Sequence, residues 1–152
     1  MRRPFVVGHR GAAGLEPENT LRSIGRAIDI GVDAVEVDAR RCKDGTLVIM
    51  HDPAVDRTTN GRGRVCDQSL ASLKGLEAGV RFAGRYRGER IPTLEEVLEQ
   101  IPAPVWVDVE LKKHPGPADG LEARVVEVVR PDDWELSDPF ILLMDDRLDG
   151  GE

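Results

Sequence analysis

The pentapeptide AVEVD, Ala34 to Asp38, decides how the chain folds. Successive residues of a strand point to opposite faces, so Val35 and Val37 take one face and Glu36 and Asp38 the other, with the two carboxylates about 7 Å apart along the strand. The stretch VWVDVELK, Val105 to Lys112, repeats the device: Val105, Val107, Val109 and Leu111 face one way, and Trp106, Asp108, Glu110 and Lys112 the other. A row of ionised groups on an inward face costs several kcal/mol per unpaired charge, so these strands are expected to face something bound.

Outward from these two strands, apolar runs predict further strands at Phe5 to Gly8, Thr46 to Met50 and Phe140 to Met144. Helical patterns lie between them. TLRSIGRAIDIG places Leu21, Ile24, Ala27 and Ile28 on one face, with Asn19 or Thr20 as N-cap and Gly31 as the stop. TLEEVLEQI spaces Leu94, Val97, Leu98 and Ile101 at helical intervals behind a capping box of Thr93 and Glu96. GLEARVVEVVR is a third helix, ending at Pro131. Strands alternating with helices are the pattern of a parallel α/β fold. The polar stretch between His51 and Pro92, with one short helix near Ser69 to Leu76, is long enough to be a functional insertion, placed at about residues 53–90. With 152 residues, a single domain is expected.

The formal net charge of −7 comes from residues 131–152, which hold eight acids against Arg147; residues 1–130 balance at zero. A neutral body with an acidic C-terminal segment has no electrostatic footprint for nucleic acid or for an anionic membrane, and neither is expected as a partner. In MRRPFVVGH only Phe5, Val6 and Val7 follow the arginines before glycine and histidine, too few for a secretory h-region. No apolar run approaches the roughly 18 residues of a membrane span. Cys42 and Cys66 have no metal-type spacing and read as free thiols. A cytoplasmic location is expected.

Chemistry-bearing side chains collect at the strand ends: His9 and Arg10 after the first, Glu36 and Asp38 on the second, His51 and Asp52 after the third, Glu110 and Lys112 on the fourth. In parallel α/β sheets and barrels the carboxyl edge is where sites are built. Taken singly, a strand-end histidine is ordinarily a hydrogen-bonded structural residue, and alternating carboxylates are ordinarily a solvated face. Their coincidence at one edge points to phosphodiester cleavage. Three carboxylates make a hard oxygen site for Mg²⁺ or Ca²⁺, Arg10 and Lys112 offset phosphate charge, and two histidines can serve as base and acid.

The chain resembles the glycerophosphodiester phosphodiesterase family in HRG (His9 to Gly11), PENT (Pro17 to Thr20), VEVD (Val35 to Asp38), KDGTLVIMHD (Lys43 to Asp52), DRTTNGRG (Asp56 to Gly63), IPTLEEVL (Ile91 to Leu98) and VELK (Val109 to Lys112). The resemblance covers roughly residues 5–130. It implies a TIM-type (β/α) barrel with a small insertion after the third strand. It also implies that Glu36, Asp38 and Glu110 bind the metal, that His9 and His51 are general base and acid, and that Arg10 and Lys112 hold the phosphate. Glu18 and Asn19 would stand behind these groups and orient them. In the family the free glycerol hydroxyl beside the phosphate is thought to attack phosphorus, leaving a cyclic phosphate that water opens. The implied reaction is metal-dependent hydrolysis of a small-molecule glycerophosphodiester to glycerol 3-phosphate and an alcohol.

A complete (β/α)₈ barrel typically takes about 250 residues, and here about five strands are predicted. The expectation is therefore one partial barrel domain over residues 1–152, not closed by this chain. Its open edges predict a homo-oligomer or a strand-donating partner chain. The alternative to an enzyme is a non-catalytic remnant or interaction module that retains the metal and phosphate site.

Overall fold

A computed structural model describes residues 3–113, 120–129 and 141–145, the last as backbone. The elements run β1 (Val7–Gly8), α1 (Leu21–Ile30), β2 (Ala34–Arg41), β3 (Leu47–Ile49), α2 (Leu70–Lys74), α3 (Leu94–Gln100), β4 (Trp106–Leu111), α4 (Leu121–Val129) and β5 (Ile141–Asp145). Strands β1, β2, β4 and β5 lie side by side in that order, each parallel to the next. Among the described residues the sheet does not close, and the architecture is an incomplete TIM-type (β/α) barrel.

Strand β3 departs from the expected all-parallel alternation. It pairs antiparallel with the end of β2, setting Ala39 against Ile49, Arg40 against Val48 and Arg41 against Leu47. The reason is local. Cys42 N donates to Thr46 O at 3.0 Å, and Gly45 takes a left-handed φ of 88°, so residues 43–46 form a tight reversal. A parallel crossover needs a dozen residues or more. β3 is thus the return arm of a hairpin, and the barrel-type strands are the other four. The hairpin still delivers His51 to the carboxyl edge, because Met50 N donates to Asp38 O at 2.8 Å.

The expected alternation holds along β2 and β4. Val35, Val37, Val107 and Val109 are fully buried against Ile24 and Ala27 of α1, Leu94 and Val97 of α3, and Leu121 and Val125 of α4. Each such side chain contributes about 1.5–3 kcal/mol by leaving water, which is why this face carries the helices. Helix α1 starts where Thr20 accepts from Ser23 N at 3.1 Å and stops at Gly31, whose φ is 86°. Since Thr20 takes the cap, Asn19 is left for another use. Helix α3 has the expected capping box of Thr93 and Glu96.

Residues 53–90 hold α2 and two 3-10 turns, Val65–Asp67 and Gly84–Tyr86. Val55, Val65, Leu73 and Ala78 form a second small core there with Cys42, Val48 and Met50 of the hairpin and Ile91. Tyr86 fastens this segment to the β1–α1 loop: its hydroxyl donates to Leu15 O at 3.2 Å, and the Arg22 and Arg85 guanidinium groups stand 5.1 and 4.7 Å from its ring centre. On the sheet face opposite the helices, Val7, Ala34 and Trp106 share one register. Phe5 packs edge-on against Trp106 at 6.1 Å, and Phe5, Val7 and Trp106 are all exposed. Apart from β5, the acidic segment expected at about 131–152 lies outside the described residues.

Close approach of the β1–α1 turn to α1 generates a stability prediction. Gly11 has φ 80°, and a Cβ there would stand 2.5 Å from Ser23 Oγ and 2.6 Å from the Ser23 backbone carbon. Gly11→Ala should therefore lose about 2–5 kcal/mol, combining left-handed strain with overpacking against backbone that cannot yield. A denaturant titration giving a midpoint equal to wild type would contradict this packing.

Candidate active site

The register of β2 and β4 sets Glu36 beside Asp108 and Asp38 beside Glu110 on the face away from the helices. One oxygen each of Glu36, Asp38 and Glu110 lies within 4.8 Å of the others. Glu36 and Asp38 are buried, and Glu36 Oε1 and Asp38 Oδ1 have no hydrogen-bond donor. A buried charged acceptor without a donor is costly, and an all-oxygen set of this kind suits a hard divalent cation. Burial, with the Asp38 and Glu110 charges added to it, pushes the Glu36 carboxyl up to about 7 despite the Arg10 backbone N–H. Burial also raises Asp108, with Glu110 as the lesser cause.

Basic groups enclose this acidic centre. Arg10 N donates to Glu36 Oε2 at 2.7 Å, and its guanidinium places Nε 3.3 Å from Asp38 Oδ2. Lys112 Nζ is bonded to Glu110 and stands 3.5 Å from Asp38 Oδ1. His9 extends from the end of β1 with its side chain 68% exposed and Nε2 4.0 Å from Glu36 Oε2. Asn19 grips Asp38 at both ends, donating from Nδ2 to Oδ2 at 2.8 Å and accepting from the backbone N at 3.4 Å. To do so it adopts φ 57°, and Arg10 likewise has φ 52°. Left-handed backbone at non-glycine residues is uncommon and tends to gather at functional sites. The two are tied together, since Asn19 N donates to Arg10 O at 3.0 Å.

His51 reaches the same edge on the hairpin. Its Nδ1 is 2.7 Å from Asp52 Oδ1, and its carbonyl accepts from Arg40 Nε at 2.9 Å. Arg40 also donates from Nη1 to Lys112 O at 3.3 Å, joining the ends of β3 and β4. Glu18 accepts from Arg10 Nη1 at 3.2 Å and from Arg57. Arg57 in turn bonds Asp52. The structure thus brings His9, Arg10, Glu18, Asn19, Glu36, Asp38, His51, Glu110 and Lys112 into one connected cluster. Arg57, first, and His51 hold the Asp52 carboxyl down at about 2; Arg57 is also the main reason Glu18 lies below its ordinary value.

Sequence reasoning gave no role to Arg40, Asp52 or Arg57. For Arg40 the signal was its place on the same strand face as Glu36 and Asp38. For Asp52 it was adjacency to His51. Arg57 stood inside DRTTNGRG, but its partner Glu18 is 39 residues away.

Comparison with known proteins gives consistent matches. A model of the glycerophosphoryl diester phosphodiesterase family matches residues 9–132. A glycerophosphodiester phosphodiesterase of Caldanaerobacter subterraneus subsp. tengcongensis is 40% identical over 134 residues, covering 88% of this chain and 55% of that protein. A Bacillus subtilis protein of the same name is 39% identical over 132 residues, covering 82% and 45%. The solved structure of an Oleispira antarctica phosphodiesterase in complex with the product sn-glycerol-3-phosphate superposes with TM-score 0.85 at 38% identity, covering 93% of this chain and 57% of that one. The chain spans about half the length of the curated relatives it matches.

The raised Glu36 carboxyl generates a pH prediction. Its folded value, about 7, exceeds the ordinary 4.5. The group's favourable contribution to the metal-free fold is therefore fully present below about pH 4.5 and lost as pH rises through 7, a change on the order of 3 kcal/mol. A dication that keeps Glu36 ionised removes that loss. Between about pH 5 and about pH 7.5, wild type should lose more Tm than Glu36→Gln, and Mg²⁺ should narrow the difference by acting on wild type. Identical pH responses of the two proteins would contradict the burial argument.

Proposed function

Because the chain belongs to the glycerophosphoryl diester phosphodiesterase family, we propose that it hydrolyses glycerophosphodiesters to glycerol 3-phosphate and an alcohol, using a divalent cation. The observation that carries the reading is the triad of Glu36, Asp38 and Glu110, with two buried oxygens lacking donors and with Arg10 and Lys112 beside them. The glycerol 3-phosphate bound to the Oleispira antarctica relative supports the glycerol half of the substrate.

Charge favours this substrate class. Four carboxylates, Asp108 included, face Arg10 and Lys112, so a dication offsets the remaining negative charge and lets an anionic phosphodiester approach. Glu36, Asp38 and Glu110 are the groups to hold Mg²⁺ or Ca²⁺, which would supply electrostatic stabilisation of the phosphoryl oxygens. With the carboxylates so occupied, the Arg10 guanidinium and Lys112 ammonium are released to pair with phosphate oxygens. Glu18 and Asn19 keep Arg10 and Asp38 in place through the bonds described above.

In the proposed reaction His9 takes the proton of the free glycerol hydroxyl as that oxygen attacks phosphorus. The bond to the alcohol oxygen breaks, and His51 returns a proton to it. Water then opens the cyclic phosphate with the two roles reversed, so no proton is gained or lost by the pair over the cycle. The free thiols Cys42 and Cys66 support a reducing, cytoplasmic setting. Among the described residues no helix is long and apolar enough to cross a membrane. The residue 53–90 segment, which packs Val55, Val65, Leu73 and Ala78 into a small core with the hairpin apart from the helix-face core, supports reading it as an insertion upon the barrel. Exposure of Phe5, Val7 and Trp106 on the inner sheet face supports cover by a second copy or a strand-donating chain.

The direct test is release of glycerol 3-phosphate from glycerophosphocholine with Mg²⁺ or Ca²⁺. We expect turnover that a chelator abolishes. His9→Ala and His51→Ala should each lower kcat by roughly 10² or more with KM changed only a few fold, because proton transfer belongs to the transition state. Activity retained in both variants would move the chemistry elsewhere. A wild-type chain that binds the cation yet releases nothing would favour the non-catalytic binding module.

A further inference from the structure

Arg57 makes more directed contacts than the proposed reaction uses. Its guanidinium donates from Nε to Asp52 Oδ2 at 2.6 Å and from Nη2 to Asp52 Oδ1 at 3.0 Å. It also donates from Nη1 to Glu18 Oε2 at 2.8 Å and from Nη2 to Glu18 Oε1 at 2.7 Å. Both edges of the planar group are therefore engaged in paired bonds to carboxylates, the geometry that an ammonium cannot reproduce. The residue sits in the 53–90 segment with its side chain 48% exposed. Its contacts hold other polar groups and fill no core.

We propose that Arg57 is a positioning residue that fixes the tautomer of His51 by clamping Asp52 against Glu18. The proposal rests on the reading that His51 transfers a proton. Asp52, locked by the clamp, presents Oδ1 to His51 Nδ1 at 2.7 Å. An ionised carboxylate only accepts, so a neutral His51 must carry its hydrogen on Nδ1 and leave Nε2 unprotonated. That is the minor form of a free histidine side chain in water. When the ring is protonated, Nδ1–H remains on Asp52 and Nε2–H is the proton to give away. In both states proton exchange is confined to Nε2, to which no protein hydrogen bond runs among the described residues.

The same guanidinium links the two flanks of the site. Glu18 Oε1 accepts from Arg10 Nη1 at 3.2 Å as well as from Arg57. The chain of bonds from His51 through Asp52, Arg57 and Glu18 to Arg10 sets the proton-transfer group and the phosphate-binding group relative to one another. Without Arg57, Asp52 and Glu18 would repel each other across the gap, and each is exposed enough to swing towards water. His51 would then revert towards its solution tautomer.

The test reads the His51 ring nitrogens by ¹⁵N–¹H correlation NMR in the metal-free chain, at alkaline pH where the imidazole is neutral. Wild type should show protonated Nδ1. Arg57→Gln should shift His51 to a mixture in which protonated Nε2 predominates, and Arg57→Lys, which keeps the charge without the fork, should restore it only in part. Tyr86→Phe removes a different fastening of the same segment, the bond to Leu15 O, and should leave the tautomer as in wild type. If Arg57→Gln loses its cooperative melt, the Arg57→Lys spectrum decides in its place. Where turnover is measured, Arg57→Gln should lower kcat by about 10–100-fold with KM little changed, as for other partners that orient a functional histidine. Protonated Nδ1 retained in Arg57→Gln would overturn the proposal, and so would an equal loss in Tyr86→Phe. Because the tautomer is read without turnover, an inactive chain whose His51 still responds to Arg57 would uphold the clamp and count against the phosphodiesterase reading alone.

Discussion

Three carboxylates forced together by strand register are the constraint on which this structure turns. Once β2 and β4 pair in parallel through their valines, Asp38 must lie beside Glu110, and Glu36 one pleat below. Hydrophobic burial on the helix face drives the pairing, and electrostatic repulsion on the other face opposes it. The Glu36 carboxyl, pushed up to about 7 by burial first and by the Asp38 and Glu110 charges after it, records the cost of that crowding. Everything around the centre acts to lessen it. Lys112 lies on the same face as the acids, Arg10 turns its backbone N–H to Glu36 and its guanidinium to Asp38, and Asn19 takes a left-handed backbone to hold Asp38.

Relief by protein groups alone is incomplete, because Glu36 Oε1 and Asp38 Oδ1 still lack donors. The deficit is what the proposed cation would fill. A network selected for stability would close its own bonds. This one keeps acceptors facing inward beside an exposed histidine, as the proposed cation site requires.

Much of this could be read from the chain before any coordinates. The alternation in AVEVD and VWVDVELK assigned both faces of β2 and β4 correctly, since period-two patterning follows from strand geometry itself. Local capping chemistry likewise placed both ends of α1 and the start of α3. Direction was harder. Leu47 to Ile49 is a short apolar run, and periodicity says nothing about whether such a run lies parallel or antiparallel to its neighbour. The clue was the brevity of KDGT, which permits only a reversal. The pairing of Arg57 with Glu18 was beyond such reading, because it depends on how residues 53–90 pack over the hairpin.

The β2–β3 hairpin carries Asp38 and His51 on one rigid ribbon, tied where Met50 N meets Asp38 O. His51 is thereby registered before the chain enters residues 53–90, and Arg57 completes its support only five residues past Asp52. Residues 58–89 in turn lie over this ribbon, with Val65, Leu73 and Ala78 packed against Cys42, Val48 and Met50 just before His51. The support of His51 and the packing of this segment are therefore coupled, and a change of length within residues 58–89 would reach Arg57 through that shared core.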